Sequence, residues 1–296
     1  MKKSVLCIVL CLAFLIPSAA LAGGSKPACA TKYPVILAHG MGVSPVILGL
    51  INYWWGIPEA LDEEGADVYI TSVNGMDSTA SKGVAWAKQV RQILAVTGAP
   101  KANVIGHSHG CLYTRYAITN CGLGAKIASH TSVGGPHRGS SIANLIVYDL
   151  PSPLVSVGAD VINFLYAYLL GDTNPDVLQN GYDLCTDYMT GVFNPNTPNI
   201  NGVYYQSWSG KAVWGCNSVL VTPTWLILLG MEGDNDGLVS VNSAKWGNFR
   251  GVMKAAWWSP GVDHLNEVGQ FFGFTPGFDA GDFFVDIVSN LKTRGY

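Results

Sequence analysis

The stretch from Val104 to Gly110 constrains this chain more than any other, because it reads V-I-G-H-S-H-G and contains the pattern G-x-S-x-G. The apolar residues before the pattern are typical of a buried strand, and residues 111–117 are typical of the start of a helix. A serine on the sharp turn between such elements is exposed at the end of a sheet. We therefore predict that Ser108 is a nucleophile. Gly106 and Gly110, which lack a Cβ, would let the strand and the helix pack closely. The alternative is an ordinary glycine-rich turn.

Strands and helices alternate along the first half of the chain. Besides the elements around Ser108, we predict strands at residues 33–38, 68–73 and 127–133 and a helix at 83–97. This alternation predicts an α/β fold with a mostly parallel central sheet flanked by helices. Ligands bind such sheets beyond the carboxyl ends of the strands, where Ser108 and the loop around Met41 are both expected. Later elements are a strand at 203–208 and a helix at 282–292.

Residues 1–22 are typical of an export signal rather than of a folded domain. A cleaved signal peptide has a charged start, an apolar run and a cleavage site, in that order. This chain shows the same order, with two lysines at its start, an apolar run at 5–16 and the tripeptide Ala20-Leu21-Ala22. We expect a mature chain of residues 23–296 that forms a single domain and is secreted or periplasmic. A retained membrane anchor is the alternative, although the run is shorter than the roughly 20 residues that span a bilayer.

Composition limits the partners, and the cysteines limit the disulfides. Only 12% of the residues are charged, the formal net charge is −3 and no basic stripe occurs, so we expect no nucleic-acid partner. Two of the seven cysteines lie in the leader, and the remaining five leave at least one thiol unpaired. We expect Cys111 to be free and buried, and we favour a disulfide between Cys185 and Cys216.

The segment 140–170 is apolar, is broken by two prolines and has only Asp149 and Asp160 as carboxylates. We predict that it forms a helical insertion that covers the active site as a lid. The alternative is a pair of buried core helices, because an apolar stretch of this kind also suits a core. Residues 172–201 are rich in asparagine, proline and glycine, and we predict a polar loop there.

A serine hydroxyl becomes a good nucleophile when a base removes its proton and an acid orients that base. Asp236 and His264 follow Ser108 in the order nucleophile, acid, base, and both lie in predicted loops. We predict them as the acid and the base. Asp234 and Asp263 remain alternative acids, because geometry rather than sequence position determines the acid.

Acyl transfer also needs donors that stabilise the developing oxyanion. One is expected to be the backbone N–H of His109, the residue after the nucleophile. The other is expected from the loop after the first strand, where Met41 follows His39-Gly40.

These segments resemble the secreted triacylglycerol lipases of Gram-negative bacteria, a family of α/β-hydrolases. The resemblance covers most of the mature chain and lies in residues 33–41, 52–61, 105–110, 131–140, 207–210, 235–239 and 263–268. It implies an α/β-hydrolase fold with a catalytic triad of Ser108, Asp236 and His264. It also implies Met41 and His109 as the oxyanion donors. Cys111 stands where the family usually has glycine.

The resemblance implies a structural calcium ion near the base, and the chain departs from the family there. Asn266 replaces an expected aspartate, and residues 217–223 carry no carboxylate where a second is expected. Gln270 and the carbonyl of Phe274 would remain as neutral ligands, whereas carboxylates supply much of the affinity for Ca²⁺. We therefore expect no required cofactor and a calcium site that is lost or weak. The family's disulfide is not expected, because Asn242 occupies the place of its second cysteine.

The sequence as a whole predicts an exported serine ester hydrolase, in the first place a triacylglycerol lipase that acts at a lipid–water interface through an acyl-enzyme. Some members of the family need a dedicated foldase, which is therefore a candidate partner. One alternative is an esterase of short, soluble esters, with the insertion as fixed core. Another is a non-catalytic lipid-binding protein with the same fold.

Overall fold

The computed structural model describes residues 27–41, 46–47, 51–149, 176–270 and 274–296. Its strands are β1 (Val35–Ala38), β2 (Val46–Ile47), β3 (Ile51–Asn52), β4 (Val68–Thr71), β5 (Ala102–His107), β6 (Ile127–Val133), β7 (Tyr204–Ser209), β8 (Lys211–Ala212), β9 (Asn248–Val252) and β10 (Gly261–Val262). Six of them form one sheet in the order β4-β1-β5-β6-β7-β9, and every pair of neighbours in it is parallel. The pairs β2–β3 and β8–β10 are antiparallel.

Helices cover both faces of the sheet and its carboxyl end. They are α1 (Ile57–Glu63), α2 (Thr79–Thr97), α3 (Gly110–Asn120), α4 (Ser141–Asn144), α5 (Val177–Tyr182), α6 (Thr186–Tyr188), α7 (Asn194–Asn196), α8 (Thr222–Met231), α9 (Val241–Ala244) and α10 (Ala280–Thr293). Single turns of 3₁₀-helix lie at Gly124–Lys126, Val219–Val221 and Asn266–Val268, and π-helical turns lie at Leu145–Asp149 and Met189–Phe193. Within these described ranges, no helix is both long enough and apolar enough to span a membrane.

Alternate side chains of the strands pack on opposite faces of the sheet, as the two-residue period of a strand requires. In β1, Val35 and Leu37 belong to the core beneath α1 and α10, together with Trp54 and Phe284. Ile36 and Ala38 belong to the core beneath α2 and α3, with Trp86, Val90 and Tyr113. Both faces of the strand are therefore buried, which explains its continuous apolar sequence.

The predicted α/β fold is confirmed, and the predicted elements differ from the observed ones by a few residues at their ends. The largest shift is in α2, which begins at Thr79 rather than at residue 83. Ser78 explains the earlier start, because its side-chain oxygen accepts a hydrogen bond from the backbone N–H of Ser81 at 3.2 Å and caps the helix.

The predicted polar loop at 172–201 is wrong, because the described part of this segment contains α5, α6, α7 and a π-helical turn. Residues that are common in loops begin helices here: the carboxylate of Asp176 caps α5, and Pro195 lies in the first turn of α7. Of the predicted insertion at 140–170, residues 140–149 are helical from Ser141 onward. Residues 150–170 and the predicted leader 1–22 lie outside the described residues.

The disulfide favoured between Cys185 and Cys216 is also wrong, because both cysteines are free and lie in separate apolar clusters. Cys185 packs with Leu112 and Met189, whereas Cys216 packs with Trp225. Cys111 is buried and free as predicted, and its thiol lies 3.1 Å from the carbonyl oxygen of Gly106.

Candidate active site

Ser108 lies on the turn between β5 and α3 and has a φ of 56°. It is the one non-glycine residue with positive φ in the described part of the chain. Such a backbone conformation is uncommon for a residue with a Cβ, and surrounding contacts must hold it. Here the N–H of Ser108 donates to the carbonyl of Val133 at 2.9 Å, and the carbonyl of Ser108 accepts from the N–H of Cys111 at 3.0 Å.

The two glycines of the motif allow the close approach predicted for them. A Cβ on Gly106 would lie 2.8 Å from the backbone nitrogen of Cys111, and a Cβ on Gly110 would lie 2.2 Å from the carbonyl oxygen of Ala38. Neither position has room for a side chain without a shift of the backbone. The turn therefore depends on glycine at both ends, and it presents the serine at the carboxyl edge of the sheet.

Asp236 and His264 are brought together by two hydrogen bonds. His264 Nδ1 lies 2.8 Å from Asp236 Oδ2, and the backbone N–H of His264 donates to the carbonyl of Asp236 at 2.8 Å. The other carboxylate oxygen, Oδ1, accepts from the N–H groups of Leu238 and Val239 at 2.8 and 2.7 Å. With a proton on Nδ1, the lone pair of the ring is on Nε2, which can accept a proton.

The two alternative acids occupy other environments. Asp234 is 57% exposed in its side chain and lies 2.6 Å from the ammonium group of Lys211. Asp263 is buried, but its carboxylate accepts hydrogen bonds from Ser218 and from the backbone of Leu265 and Asn266. Of the three candidate acids, Asp236 is therefore the one whose carboxylate is hydrogen-bonded to the ring of His264.

Ser108, His264 and Met41 line one cavity of about 130 Å³. The rest of its lining is mainly apolar and comes from α4, the π-helical turn after it, α5 and neighbouring loops: Pro136, Ser140, Ile142, Ala143, Ile146, Val147, Gly181, Leu184, Leu238 and Val239. A larger cavity of about 790 Å³ lies between β9 and α10 and contains none of the predicted site residues. The smaller cavity is therefore the place where this serine and histidine can meet a substrate.

The loop that carries Met41 lies directly beside Ser108. A Cβ built on Gly40 would lie 2.7 Å from the hydroxyl of Tyr53 and 2.9 Å from Ser108 Cβ, so a side chain at this point would force a shift of its neighbours. The backbone N–H of Gly40 donates to the buried hydroxyl of Tyr53 at 2.9 Å and fixes the loop. The backbone N–H groups of Met41 and His109 thus belong to two segments that adjoin the serine.

The ring of His109 is held away from the cavity by residues of α2. Its Nε2 lies 2.7 Å from the hydroxyl of Thr79, and its Nδ1 lies 3.0 Å from the ammonium group of Lys82. Burial, and secondarily the charge of Lys82, hold the pKa of His109 well below its usual value. A neutral ring can then accept from Lys82 and donate to Thr79, so the side chain fixes the backbone beside Ser108.

Sequence reasoning missed a second carboxyl group next to the pair, that of Glu267. Its Oε1 accepts from the N–H of Gly210 at 2.5 Å, and its Oε2 lies 3.0 Å from His107 Nε2 and 3.8 Å from His264 Nδ1. Burial and the negative charge of Asp236 raise the pKa of Glu267 well above its usual value. The spacing of three residues after His264 is the signal that could have revealed it.

His107 connects Glu267 to the loop beside Ser108. Its Nδ1 forms a short hydrogen bond with the hydroxyl of Tyr53, and its Nε2 also lies 3.1 Å from the carbonyl oxygen of His264. Burial is the main cause that holds the pKa of His107 well below its usual value. A neutral His107 can accept from Tyr53 and donate toward Glu267, which links the loop of Gly40 to the loop of His264.

Amide side chains occupy the region where calcium is expected from the resemblance. The amide nitrogen of Asn266 donates to the carbonyl of Gln270 at 2.6 Å, and its oxygen accepts from Asn217 at 3.0 Å. The amide of Gln270 donates to the backbone carbonyls of residues 52 and 53. The nearest carboxylate, Asp263, accepts four hydrogen bonds from protein groups. This donor set does not fit Ca²⁺, which takes about six to eight oxygen ligands.

Comparisons with known proteins identify the fold and the family of this chain. A family model described as "alpha/beta hydrolase fold" matches residues 33–154. The chain is 34% identical over 270 residues to a triacylglycerol lipase of Vibrio cholerae, and the alignment covers 84% of this chain and 83% of the relative. It is 29% identical over 323 residues to a triacylglycerol lipase of Burkholderia plantarii, with coverage of 90% and 87%.

Solved structures share the fold at lower sequence identity. The mature form of a Bacillus licheniformis lipase superposes with a TM-score of 0.64 at 20% identity and covers 88% of this chain and 92% of that one. Lipase 1 of Pelosinus fermentans superposes with a TM-score of 0.62 at 14% identity, covering 88% and 99%.

Proposed function

The chain belongs to the triacylglycerol lipase family of α/β-hydrolases and is a lipase or carboxylic-ester hydrolase, and from this premise we propose that it is an exported lipase with a Ser108–His264–Asp236 triad. The observation that carries the proposal is the buried Asp236–His264 pair, whose histidine lines the same apolar cavity as Ser108. Ser108 and His264 both line that cavity, which lies at the carboxyl edge of a parallel sheet, where such sheets bind ligands.

In the proposed reaction, Ser108 Oγ attacks the carbonyl carbon of the ester while His264 Nε2 takes the hydroxyl proton. Asp236 accepts the hydrogen bond from Nδ1–H and stabilises the imidazolium that forms. The backbone N–H groups of His109 and Met41 bind the oxyanion of the tetrahedral intermediate. His264 then returns the proton to the departing alcohol, and a water molecule, activated by the same base, hydrolyses the acyl-enzyme.

The substrate we propose is an ester with an apolar acyl chain at a lipid–water interface, supported by the apolar lining of the cavity. We also propose that the insertion that begins at α4 acts as a lid, that a signal peptide directs the chain to the periplasm or the medium, and that a foldase is a candidate partner. A carboxylesterase for short, soluble esters is the second candidate, favoured by the modest cavity of about 130 Å³.

The test is hydrolysis of p-nitrophenyl esters from acetate to palmitate by the mature protein, with Asp236→Asn and Asp234→Asn as matched variants. We expect Asp236→Asn to lower kcat by a factor on the order of 10⁴, because the base loses its orienting carboxylate. Asp234→Asn should stay within about twofold, since its carboxylate lies at the surface. Preference for long chains supports the lipase, and preference for acetate or butyrate supports the esterase. Equal effects of the two variants would contradict the triad.

We further propose that activity and folding do not require calcium. Asn217, Asn266 and Gln270 bond to one another and to the backbone, and Asp263 is satisfied by N–H and hydroxyl donors. Gln270 Oε1 is buried without a partner and offers one neutral oxygen, which is far from a full coordination shell. A chelator should leave the Tm and the hydrolysis rate unchanged. A fall of several degrees in Tm that added Ca²⁺ reverses would contradict this proposal.

A further inference from the structure

Two segments beside the active site carry no charged residue at all, although they lie at the surface. They are residues 212–231, between Lys211 and Glu232, and residues 255–262, between Lys254 and Asp263. We call them together the apolar lobe. Its exposed large side chains are Val213, Trp214, Val219, Leu226, Ile227, Leu229, Met231, Trp257 and Trp258. Exposed apolar residues are normal when they occur singly, but a contiguous set indicates a surface that binds something apolar.

The two segments form one body through β8 and β10, which pair with each other. Beyond the paired residues, the N–H of Val213 donates to the carbonyl of Pro260 at 2.7 Å. Trp214 and Trp258 therefore follow β8 and precede β10 at the same end of the two-stranded ribbon. Trp257 is 94% exposed, so most of this aromatic ring lies in water when the protein is alone.

Helix α8 supplies the aliphatic part of the lobe. Trp225 and Leu228 face the protein, whereas Leu226, at 63% exposure, and Met231, at 58%, face solvent. A surface helix of a soluble protein normally presents polar residues outward, and a helix that is apolar all round is typical of a core or a membrane. With ten residues, α8 is about 15 Å long, half of what a bilayer core requires, so it can lie along an apolar surface but not cross one.

The lobe is continuous with the mouth of the active-site cavity. Leu238 packs against the cluster of Val221 and Trp225 inside the lobe, and the same leucine lines the cavity of Ser108. At its end, α8 is joined to the start of α4 by Glu232, whose carboxylate accepts from the N–H of Ser141 at 2.8 Å. A surface that covers the lobe would therefore meet the cavity entrance.

We propose that the apolar lobe docks the protein on a neutral lipid surface, with Trp214, Trp257 and Trp258 at the level of the headgroups and α8 against the acyl chains. The choice of a lipid as the partner rests on the proposed lipase function. The absence of charge in the lobe indicates a lipid surface without net charge. Neither anionic lipid nor salt should change the binding affinity much, because the lobe has no lysine or arginine that could bind a phosphate. Tryptophan suits this role, since its ring is apolar and its N–H is polar.

The test measures binding to phosphatidylcholine vesicles, by co-sedimentation and by tryptophan quenching with brominated lipid, in a Ser108→Ala background that separates binding from turnover. One variant combines Trp257→Ser with Trp258→Ser, and the other combines Leu226→Ser with Met231→Ser. The control is Val96→Ser, which removes an apolar side chain that is 83% exposed from helix α2, away from the lobe. We expect each double variant to weaken partition at least about tenfold and the control to leave it unchanged.

Binding should also be the same on anionic vesicles and at high salt. Hydrolysis of a soluble short-chain ester by the active forms of the same variants should stay within about twofold, because the lobe is outside the catalytic machinery. The proposal is overturned if both double variants bind as well as the parent, or if binding requires anionic lipid. A parent that is a dimer in solution and whose double variants are monomers, with vesicle binding unchanged, would instead assign the lobe to self-association. If the protein binds vesicles but hydrolyses no ester, the docking stands and the proposed activity fails.

Discussion

Replacement of Tyr53 by phenylalanine removes one buried hydroxyl that joins two segments of the site. That oxygen accepts from the N–H of Gly40 at 2.9 Å and forms a short hydrogen bond with His107 Nδ1. Both partners are buried, and phenylalanine offers neither of them a hydrogen-bonding atom. Each orphaned buried group costs about 1–3 kcal/mol, so we expect the free energy of unfolding to fall by about 2–6 kcal/mol.

The loss should appear both in stability and in turnover. At about 2–4 °C per kcal/mol for a domain of this size, Tm should fall by at least about 4 °C in a calorimetric scan. Because Gly40 directly precedes Met41, the loop that holds one oxyanion donor becomes less constrained, and we expect kcat to fall about tenfold with KM nearly unchanged. Loss of an entire oxyanion donor typically lowers kcat by about 10²–10³, and this range sets the upper limit for the fall in kcat of the variant.

A suitable control is Tyr204→Phe, because the hydroxyl of Tyr204 accepts from Asn248 at 3.0 Å at an exposed position and donates to Gln206 only at 3.3 Å. That change should cost no more than about 1 kcal/mol and leave kcat unchanged. Equal Tm values for Tyr53→Phe, Tyr204→Phe and the parent would refute the reasoning that Tyr53 anchors the loop. A fall in Tm with unchanged kcat would keep the structural role and refute the link to turnover.

Three further perturbations have expected outcomes. Glu267→Gln should keep kcat within a few-fold and leave Tm nearly unchanged, because an amide mimics the protonated acid beside Asp236. Glu267→Ala should lower Tm by several degrees. If Glu267→Gln lowered Tm as much as Glu267→Ala, the negative charge of Glu267 would be what matters. Gly110→Ala should cost about 1–3 kcal/mol or prevent folding, since its Cβ would lie 2.2 Å from the carbonyl oxygen of Ala38; an unchanged Tm would contradict this. Burial lowers the pKa of His39 to about 4 from 6.5, so between these values the folded state binds fewer protons than the unfolded state. His39 therefore contributes about 3 kcal/mol to the free energy of unfolding above pH 6.5, and this contribution is lost as the pH falls to 4. A Tm that does not change with pH over this interval would contradict the lowered pKa of His39.

The elements best predicted from sequence are those that strict local chemistry specifies. A serine between two glycines, after an apolar run and before a helix, leaves few structures other than the observed turn, and a Cβ at either glycine would meet backbone atoms. The strands buried on both faces are likewise visible as short apolar runs, as in β1. In these cases the local pattern and the tertiary environment require the same residues.

The parts that the sequence did not reveal depend on contacts between distant segments. Asp234 and Asp236 are equivalent in a linear sequence, and they differ because one lies at the surface with Lys211 while the other faces His264. The role of Glu267 likewise depends on Gly210 and His107, which are far from it in the chain. The helix α8 was missed because its apolar residues have no helical period, and residues 172–201 were assigned to a loop from composition alone.

The central claim is that Ser108 is the nucleophile of an ester hydrolase, and covalent labelling with a long-chain p-nitrophenyl phosphonate tests it most directly. Attack by the serine on phosphorus would expel p-nitrophenolate and leave a stable phosphonyl ester, which peptide mass spectrometry can locate. We expect a single adduct, on Ser108, that forms at least about a thousandfold more slowly in His264→Ala, because the base is lost. A folded protein that takes up no label, or that carries it on another residue, would contradict the account.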